Sequence, residues 1–421
     1  MSSTPSPLRT RLCDLLAIRY PVIQAPMAGG WTTPELVAEV SNTGGLGMLA
    51  GARVSPERLR EDILAVRART ARPFGVNFLL APPEPGNKDT VPVQHFLDRF
   101  REELGLSSGE TNLALPPSSL SEQLEVAFEE RVPALGVALG EPGDLVEQAQ
   151  AKGMLVTSMV TTVEEAVLVA EGGADVVIAQ GAEAGGHRST FEIDPNGEVP
   201  LVGTMALVPQ VVDAVDVPVV AAGGVTDGRG LLAALALGAA GAQIGTRFLL
   251  ARESGAHPAY RERLLVATEE DTLVTRAFTG RPARGLRNRF VEEYQDAGPE
   301  PLAWPLQSVA AGDIYEASQS DNNGDYSPLF AGQGLRMLKA EQGAAEIVEE
   351  LVDRGRDRAV AIERWYALRI TPQHLTSREE GELVTDRCRW YINDANTRSP
   401  CFPSAAFGSR EAVLDRRRRA R

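Results

Sequence analysis

The sequence predicts an α/β chain built as a (β/α)8 barrel, or TIM barrel, with a small lid region and a C-terminal extension. Three observations lead there. Eight short apolar runs alternate with helical segments over roughly 240 residues, the size and order of such a barrel. The runs are continuous rather than alternating, as expected of strands covered on both faces. The sixth and seventh open directly into glycine-rich turns, at the end where barrel enzymes place their chemistry. A doubly wound open sheet uses the same local units, but the strand count and the position of the second glycine turn favour the barrel. No repeat of solenoid length is present.

The strands are expected at Pro21 to Met27, Gly45 to Gly51, Phe74 to Leu80 and Leu135 to Gly140. Four more follow at Met154 to Val160, Asp175 to Gln180, Val217 to Ala222 and Ala242 to Leu249. Between the first two, Thr33-Pro34 reads as an N-cap with proline at the first helical position, and Gly44 as the stop. Ser55-Pro56 opens the next helix in the same way. Ala81 to Arg131, rich in Pro, Ser and Glu, holds a helix or two plus loop. Thr162-x-x-Glu165 is a capping box ahead of an apolar helix. Asp227 caps a helix through Leu237, ended by Gly238.

The barrel is expected over residues 10–251 and a small lid on the substrate side over 252–325. Residues 326–353 follow, where Ala331-Gly332-Gln333-Gly334 leads into a final amphipathic helix through about Val352. Residues 354–421 form a tail of different composition, with fifteen arginines, no lysine and nine acids. No function is assigned to it.

Charge and cysteine content narrow the class. The net charge of -15 opposes a general nucleic-acid binder, which needs a positive surface to displace counterions. Three cysteines, Cys13, Cys388 and Cys401, make neither a disulfide framework nor a metal-ligand spacing, which points to a reducing compartment. No leader pattern and no apolar run of membrane-spanning length is found, so the expectation is a cytoplasmic protein without a membrane partner.

The chemistry is expected at the strand ends. Gln180-Gly181-Ala182-Glu183-Ala184-Gly185-Gly186-His187 lets backbone approach a flat ligand and aims an imidazole at it. Of four histidines, His187 alone lies in such a loop; His95, His257 and His374 read as surface residues. After the seventh strand Gly223-Gly224 precede a helix start, and the eighth carries Gln243-Ile244-Gly245-Thr246-Arg247. Glycine turns there free backbone donors for a phosphate, and the Thr246 hydroxyl adds another. Tight turning alone is the plainer reading. Asn77 and Gln180 are amides inside strands, so each must bond either a ligand edge or neighbouring backbone. Gln24, Ala25, Pro26 and Met27, at the end of the first strand, border the same cavity or pack in the core.

These residues carry a resemblance. The segments YPVIQAPMAGG, GGLGMLA, FGVNFLL, VVIAQGAEAGGHR, VPVVAAGGVTDGRGLLAALALGAAGAQIGTRF and TRAFTGRPARGLRNRF, with the AGQG turn, resemble the nitronate monooxygenase (2-nitropropane dioxygenase) family. They extend through residues 18–352, and the QGxEAGGH stretch is the most specific of them. The resemblance implies an FMN-dependent barrel and flavoprotein oxidoreductase. It would turn alkyl nitronates and O2 into carbonyl compounds and nitrite, acting as a monomer or homodimer. It implies that Gln24 to Met27 and Asn77 contact the flavin, that Gln180 and Gly185 lie at its ring, and that Gly224 with Gln243 to Thr246 hold its phosphate. It makes His187 the catalytic residue, orienting the nitronate or deprotonating a neutral nitroalkane. Two places depart from the family's pattern: after the histidine Arg-Gly is usual, whereas Arg188 is here followed by Ser189-Thr190, and Trp304 stands where the lid usually has tyrosine.

Three rivals share the scaffold. An FMN-dependent enoyl-acyl-carrier-protein reductase resembles the family through the same EAGGH loop, and an NADH:quinone reductase is related. A barrel that binds flavin without turnover is the non-enzyme alternative. An IMP-dehydrogenase-like barrel needs a nucleophilic cysteine after the sixth strand, where none occurs.

Overall fold

A computed structural model describes residues 8–81, 86–115, 117–194 and 197–370. Eight parallel strands form the central sheet: β1 (Val22–Gln24), β2 (Gly47–Ala50), β3 (Phe74–Leu79), β4 (Ala134–Ala138), β5 (Leu155–Val160), β6 (Val176–Gln180), then β8 (Val219–Ala222) and β9 (Gly241–Ile244). The intervening β7 (Gly186–His187) belongs to a second sheet with β10 (Thr272–Thr275) and β11 (Ala283–Leu286).

The central order is β1-β9-β8-β6-β5-β4-β3-β2. A parallel bridge between Ile23 and Leu46 brings the two edges together. The N–H of Gln24 donates to Leu46 O at 2.9 Å and that of Leu46 to Val22 O at 2.9 Å, closing the sheet into a barrel. Closure removes both edges, and with them the unpaired backbone that an open sheet exposes.

The expected caps form. Thr33 accepts the N–H of Leu36 and Ser55 that of Arg58, each ahead of a proline, and Gly44 ends its helix at φ 113°. Thr162 and Glu165 complete the capping box, and Asp227 accepts the N–H of Arg229. Each such cap contributes about 1 kcal/mol.

Ile23, Met48, Ala134, Ile178, Val220 and Ala222 meet in one apolar cluster, joined by Leu12 and Cys13 from the helix Arg11–Leu15. Helix-to-strand packing supplies the outer core, as where Leu207, Val208 and Val211 meet Val177 and Val219. Among the described residues no helix is long and apolar enough to cross a membrane.

Four expectations change. The eighth strand stops at Ile244, because Thr246–Leu249 turn into a short helix that lets Arg247 reach Glu350 at 3.2 Å. His187 lies on a strand rather than a loop: the lid supplies β11, and Ala283 pairs with His187 in antiparallel register. The final helix, expected through about Val352, runs from Ala344 to Ile370. The bare backbone of Gly228 leaves room for it, since a side chain there would meet Gly355 N at 2.3 Å, and Arg354–Glu350 at 2.9 Å supports the turn. His257 is no surface residue: half-buried, it caps the helix Pro258–Val266 by accepting from Tyr260 N at 3.3 Å. His95 is exposed, while His374 and residues 371–421 of the tail lie outside the described residues.

The lid draws on two distant stretches of chain. Thr90–Glu103, from the long excursion after β3, packs Phe96 and Phe100 against Phe290 and Tyr294 of the helix Arg289–Ala297. Phe100 and Phe290 lie 5.2 Å apart, and buried Arg101 bonds Asp313 at 2.7 Å.

Candidate active site

The carboxyl ends of the barrel strands surround a cavity of about 280 Å³. That volume is close to the lower end of ligand pockets, roughly 300–1,000 Å³. Ala25, Pro26, Met27, Asn77, Gln180, Gly185, His187, Gly223, Gly224, Gln243, Gly245 and Thr246 line it together. Gln24 and Ile244 do not. The Gln24 side chain lies wholly buried, accepting from Met48 N at 3.1 Å, and Ile244 packs in the outer core.

His187 sits half-buried on β7, with its Nε2 2.9 Å from the Thr279 hydroxyl. Trp304 packs edge-on at 5.0 Å and Phe330 at 5.4 Å. Loss of water around the ring, with the Arg281 and Arg53 charges adding to it, lowers its pKa from 6.5 to about 3. The imidazole is therefore neutral throughout the physiological range.

Gln180 holds this strand rather than offering its amide to the cavity. Its Nε2 donates to His187 O at 2.9 Å, while its Oε1 accepts from Arg188 at 3.0 Å and from Ser189 N at 2.9 Å. Buried Arg188 also donates to Gln180 O, Gly181 O and Pro200 O, and burial brings its pKa down to about 10. Ser189, where the family usually has glycine, and its neighbour Thr190 knit the loop to the barrel. Ser189 donates to Met159 O and accepts from Leu139 N, both at 3.0 Å, and the Thr190 hydroxyl lies 2.7 Å from that of Thr161.

Two other amides are not satisfied by the protein. Gln243, 5 % exposed, makes no side-chain hydrogen bond among the described residues, and Asn77 makes only a long one, 3.4 Å to Phe78 O. Leaving such groups unpaired costs about 1–3 kcal/mol each, so a ligand edge with donors and acceptors fits here. The N–H groups of Gly224, Val225 and Thr246 also find no acceptor among the described residues. Gly223 at φ 109° and Gly224 at φ 72° turn the backbone as a side chain rarely permits. A Cβ on Gly223 would also lie 2.9 Å from Ala184 N. Thr246 Oγ1 accepts from Gly332 N at 3.0 Å, which leaves its hydroxyl proton free for a ligand. These donors fit a phosphate and the amides fit a flavin ring.

Sequence reasoning passed over Arg53, Thr279, Phe330 and Tyr260, all on the cavity wall. Thr279 was detectable as part of the TRAFTGRPAR run; the others carry no local signal, since distant segments bring them in.

The family profile described as Nitronate monooxygenase matches residues 9–354. A probable nitronate monooxygenase of Staphylococcus saprophyticus is 37% identical over 351 residues, 82% of this chain and 97% of that protein. Its counterpart in Staphylococcus haemolyticus is 38% identical over 347 residues, 82% of this chain and 96% of its own. Among solved structures, nitroalkane oxidase from Streptomyces ansochromogenes superposes with a TM-score of 0.77 at 36% identity, covering 83% of this chain and 99% of that one. FabK from Thermotoga maritima superposes at 0.69 with 31% identity, covering 85% and 99%.

Proposed function

Because the chain belongs to the nitronate monooxygenase family, we propose that it oxidises alkyl nitronates with O2 to carbonyl compounds and nitrite, using FMN at the open end of its barrel. The observation that carries this reading is one cavity that joins a neutral His187 to unsatisfied amides and free backbone donors. We read residues 10–251 as the FMN-binding barrel, 252–325 as the substrate-side lid and 326–353 as its closing segment, whose last helix runs on past 354 to Ile370, with the reaction in the cytoplasm.

A flavin bound here supplies the transfer of electrons between nitronate and O2. Asn77 and Gln243 would meet the polar edge of its ring, Gly224, Val225 and Thr246 would donate to its phosphate, and Ala25 to Met27 would wall it in.

His187 holds the substrate. Its Nε2 faces Thr279, whose hydroxyl can donate to the ring or to Arg281 O at 3.2 Å. With Thr279 donating to Nε2, the ring carries its proton on Nδ1 and donates it to a nitronate oxygen. A ring with a pKa near 3 removes protons from carbon poorly, so the arrangement suits a substrate that arrives already ionised. Trp304 and Phe330 keep water from the ring's other faces.

The test supplies flavin-loaded protein with propyl-1-nitronate and O2, and separately with NADH and a crotonyl thioester. Nitrite released in step with O2 uptake is expected. Rapid NADH oxidation without nitrite would move the chain to the reductase reading.

A further inference from the structure

The final helix, Ala344–Ile370, backs both arms of the proposed phosphate cradle. Its apolar side places Ile347, Val348 and Leu351 in one cluster with Ile244 and Phe248 at the end of β9 and with Leu231 of the helix after β8. Its polar side makes a more specific connection. Arg247 follows Thr246 directly, is 7 % exposed and does not line the cavity. It turns the other way, donating to Ala340 O at 3.3 Å, to the Gln342 amide oxygen and to Glu350 at 3.2 Å. Glu350 also holds Arg354 at 2.9 Å, and Arg354 stands 4.0 Å from Asp227. Asp227 caps the helix that follows Gly223-Gly224-Val225. The next residue, Gly228, lies so close to the final helix that a Cβ there would meet Leu351 O at 2.5 Å.

One carboxylate thus connects the two places where free backbone donors stand. Thr246 N is reached through Arg247, and the Gly224 and Val225 N–H groups through Arg354 and Asp227. Donors on two separate strands serve one phosphate only while their spacing is fixed, and a site about 1 Å too loose loses its grip. Arg247 has no other carboxylate within ion-pair distance among the described residues, so without Glu350 this tie is broken.

Resting on the proposed function, we propose that Glu350 is a positioning residue of the cofactor site: it sets the spacing between the β8 and β9 arms that would hold the FMN phosphate. It does so from the far side of Arg247, without touching the cofactor. Charge alone would act in the opposite direction, because removing an acid near a phosphate favours binding.

The experiment titrates FMN, and separately riboflavin, which lacks the phosphate, into flavin-free wild type and E350A, following flavin fluorescence. E350A should bind FMN about tenfold more weakly, the loss of one hydrogen bond to a charged group, and bind riboflavin as wild type does. E350Q, which keeps an acceptor for Arg247, should recover part of the loss. Unchanged or tighter FMN binding would overturn the proposal, as would equal losses for FMN and riboflavin, the mark of a barrel mouth loosened generally. Should E350A fail to fold, R354Q removes only the exposed link to Asp227. At high salt, where the charge of Arg354 is itself screened, R354Q should still weaken FMN about threefold and spare riboflavin. No change there would reject the brace. A wild type that takes up neither flavin sinks the proposed function together with this inference; an E350A that binds FMN as tightly as a flavin-binding wild type sinks the inference alone.

Discussion

At the scale of single residues, the ionisation of His187 decides what kind of chemistry the site can do. Its pKa of about 3 follows first from loss of water and then from the two nearby arginines. The sign is that of a base kept neutral: the folded protein takes up its proton only near pH 3, the unfolded chain near 6.5. Stability from this group is therefore full above pH 6.5 and declines as pH falls toward 3. Turnover of an ionised nitronate should show no inflection in kcat/KM around the ordinary imidazole range of about 6.5. Neutral nitroalkanes should react slowly, at rates that track their ionisation in solution. A kcat/KM inflection near 6.5 that disappears in His187→Asn would show that the ring titrates as a base, against this reading.

At the scale of elements, the ends of β8 and β9 carry the backbone donors proposed for the cofactor, and the end of β6 with β7 holds the imidazole. Gly223 joins the two, since its turn packs directly on Ala184 of the histidine loop. Gly223→Ala should leave the secondary structure intact by circular dichroism yet lower flavin affinity by about tenfold or more, because a φ of 109° is strained for alanine and its Cβ would push on Ala184. Unchanged flavin retention would show that the turn does not cradle the cofactor. The barrel was legible in the sequence because its strands and caps are local: Thr33-Pro34, Ser55-Pro56 and Thr162-x-x-Glu165 each announce a helix within four residues. The glycine turns were equally readable. What stayed hidden is non-local. Nothing in Gly186-His187 shows that they pair with Ala283 almost a hundred residues on, so a strand read as a loop. Gln180 looked like a cofactor ligand because a buried amide needs partners, and only the fold shows that Arg188, Ser189 and the His187 carbonyl provide them.

At the scale of the molecule, a closed barrel supplies a rigid floor and the lid supplies the walls around the imidazole. That lid is one hydrophobic unit, with Phe100, Phe278 and Phe290 joined across segments far apart in sequence, so β11 and Thr279 reach His187 from a firm support. The proposed reaction requires a flavin that takes electrons from a nitronate rather than from a nicotinamide. The most direct measurement is the visible spectrum of the flavin-loaded protein under anaerobic conditions, first with propyl-1-nitronate and then, in a separate sample, with NADH. The flavin bands should bleach with the nitronate, stay largely unchanged with NADH, and return when O2 is admitted. A protein that takes up no flavin, or whose flavin bleaches with NADH but not with the nitronate, would contradict the assignment.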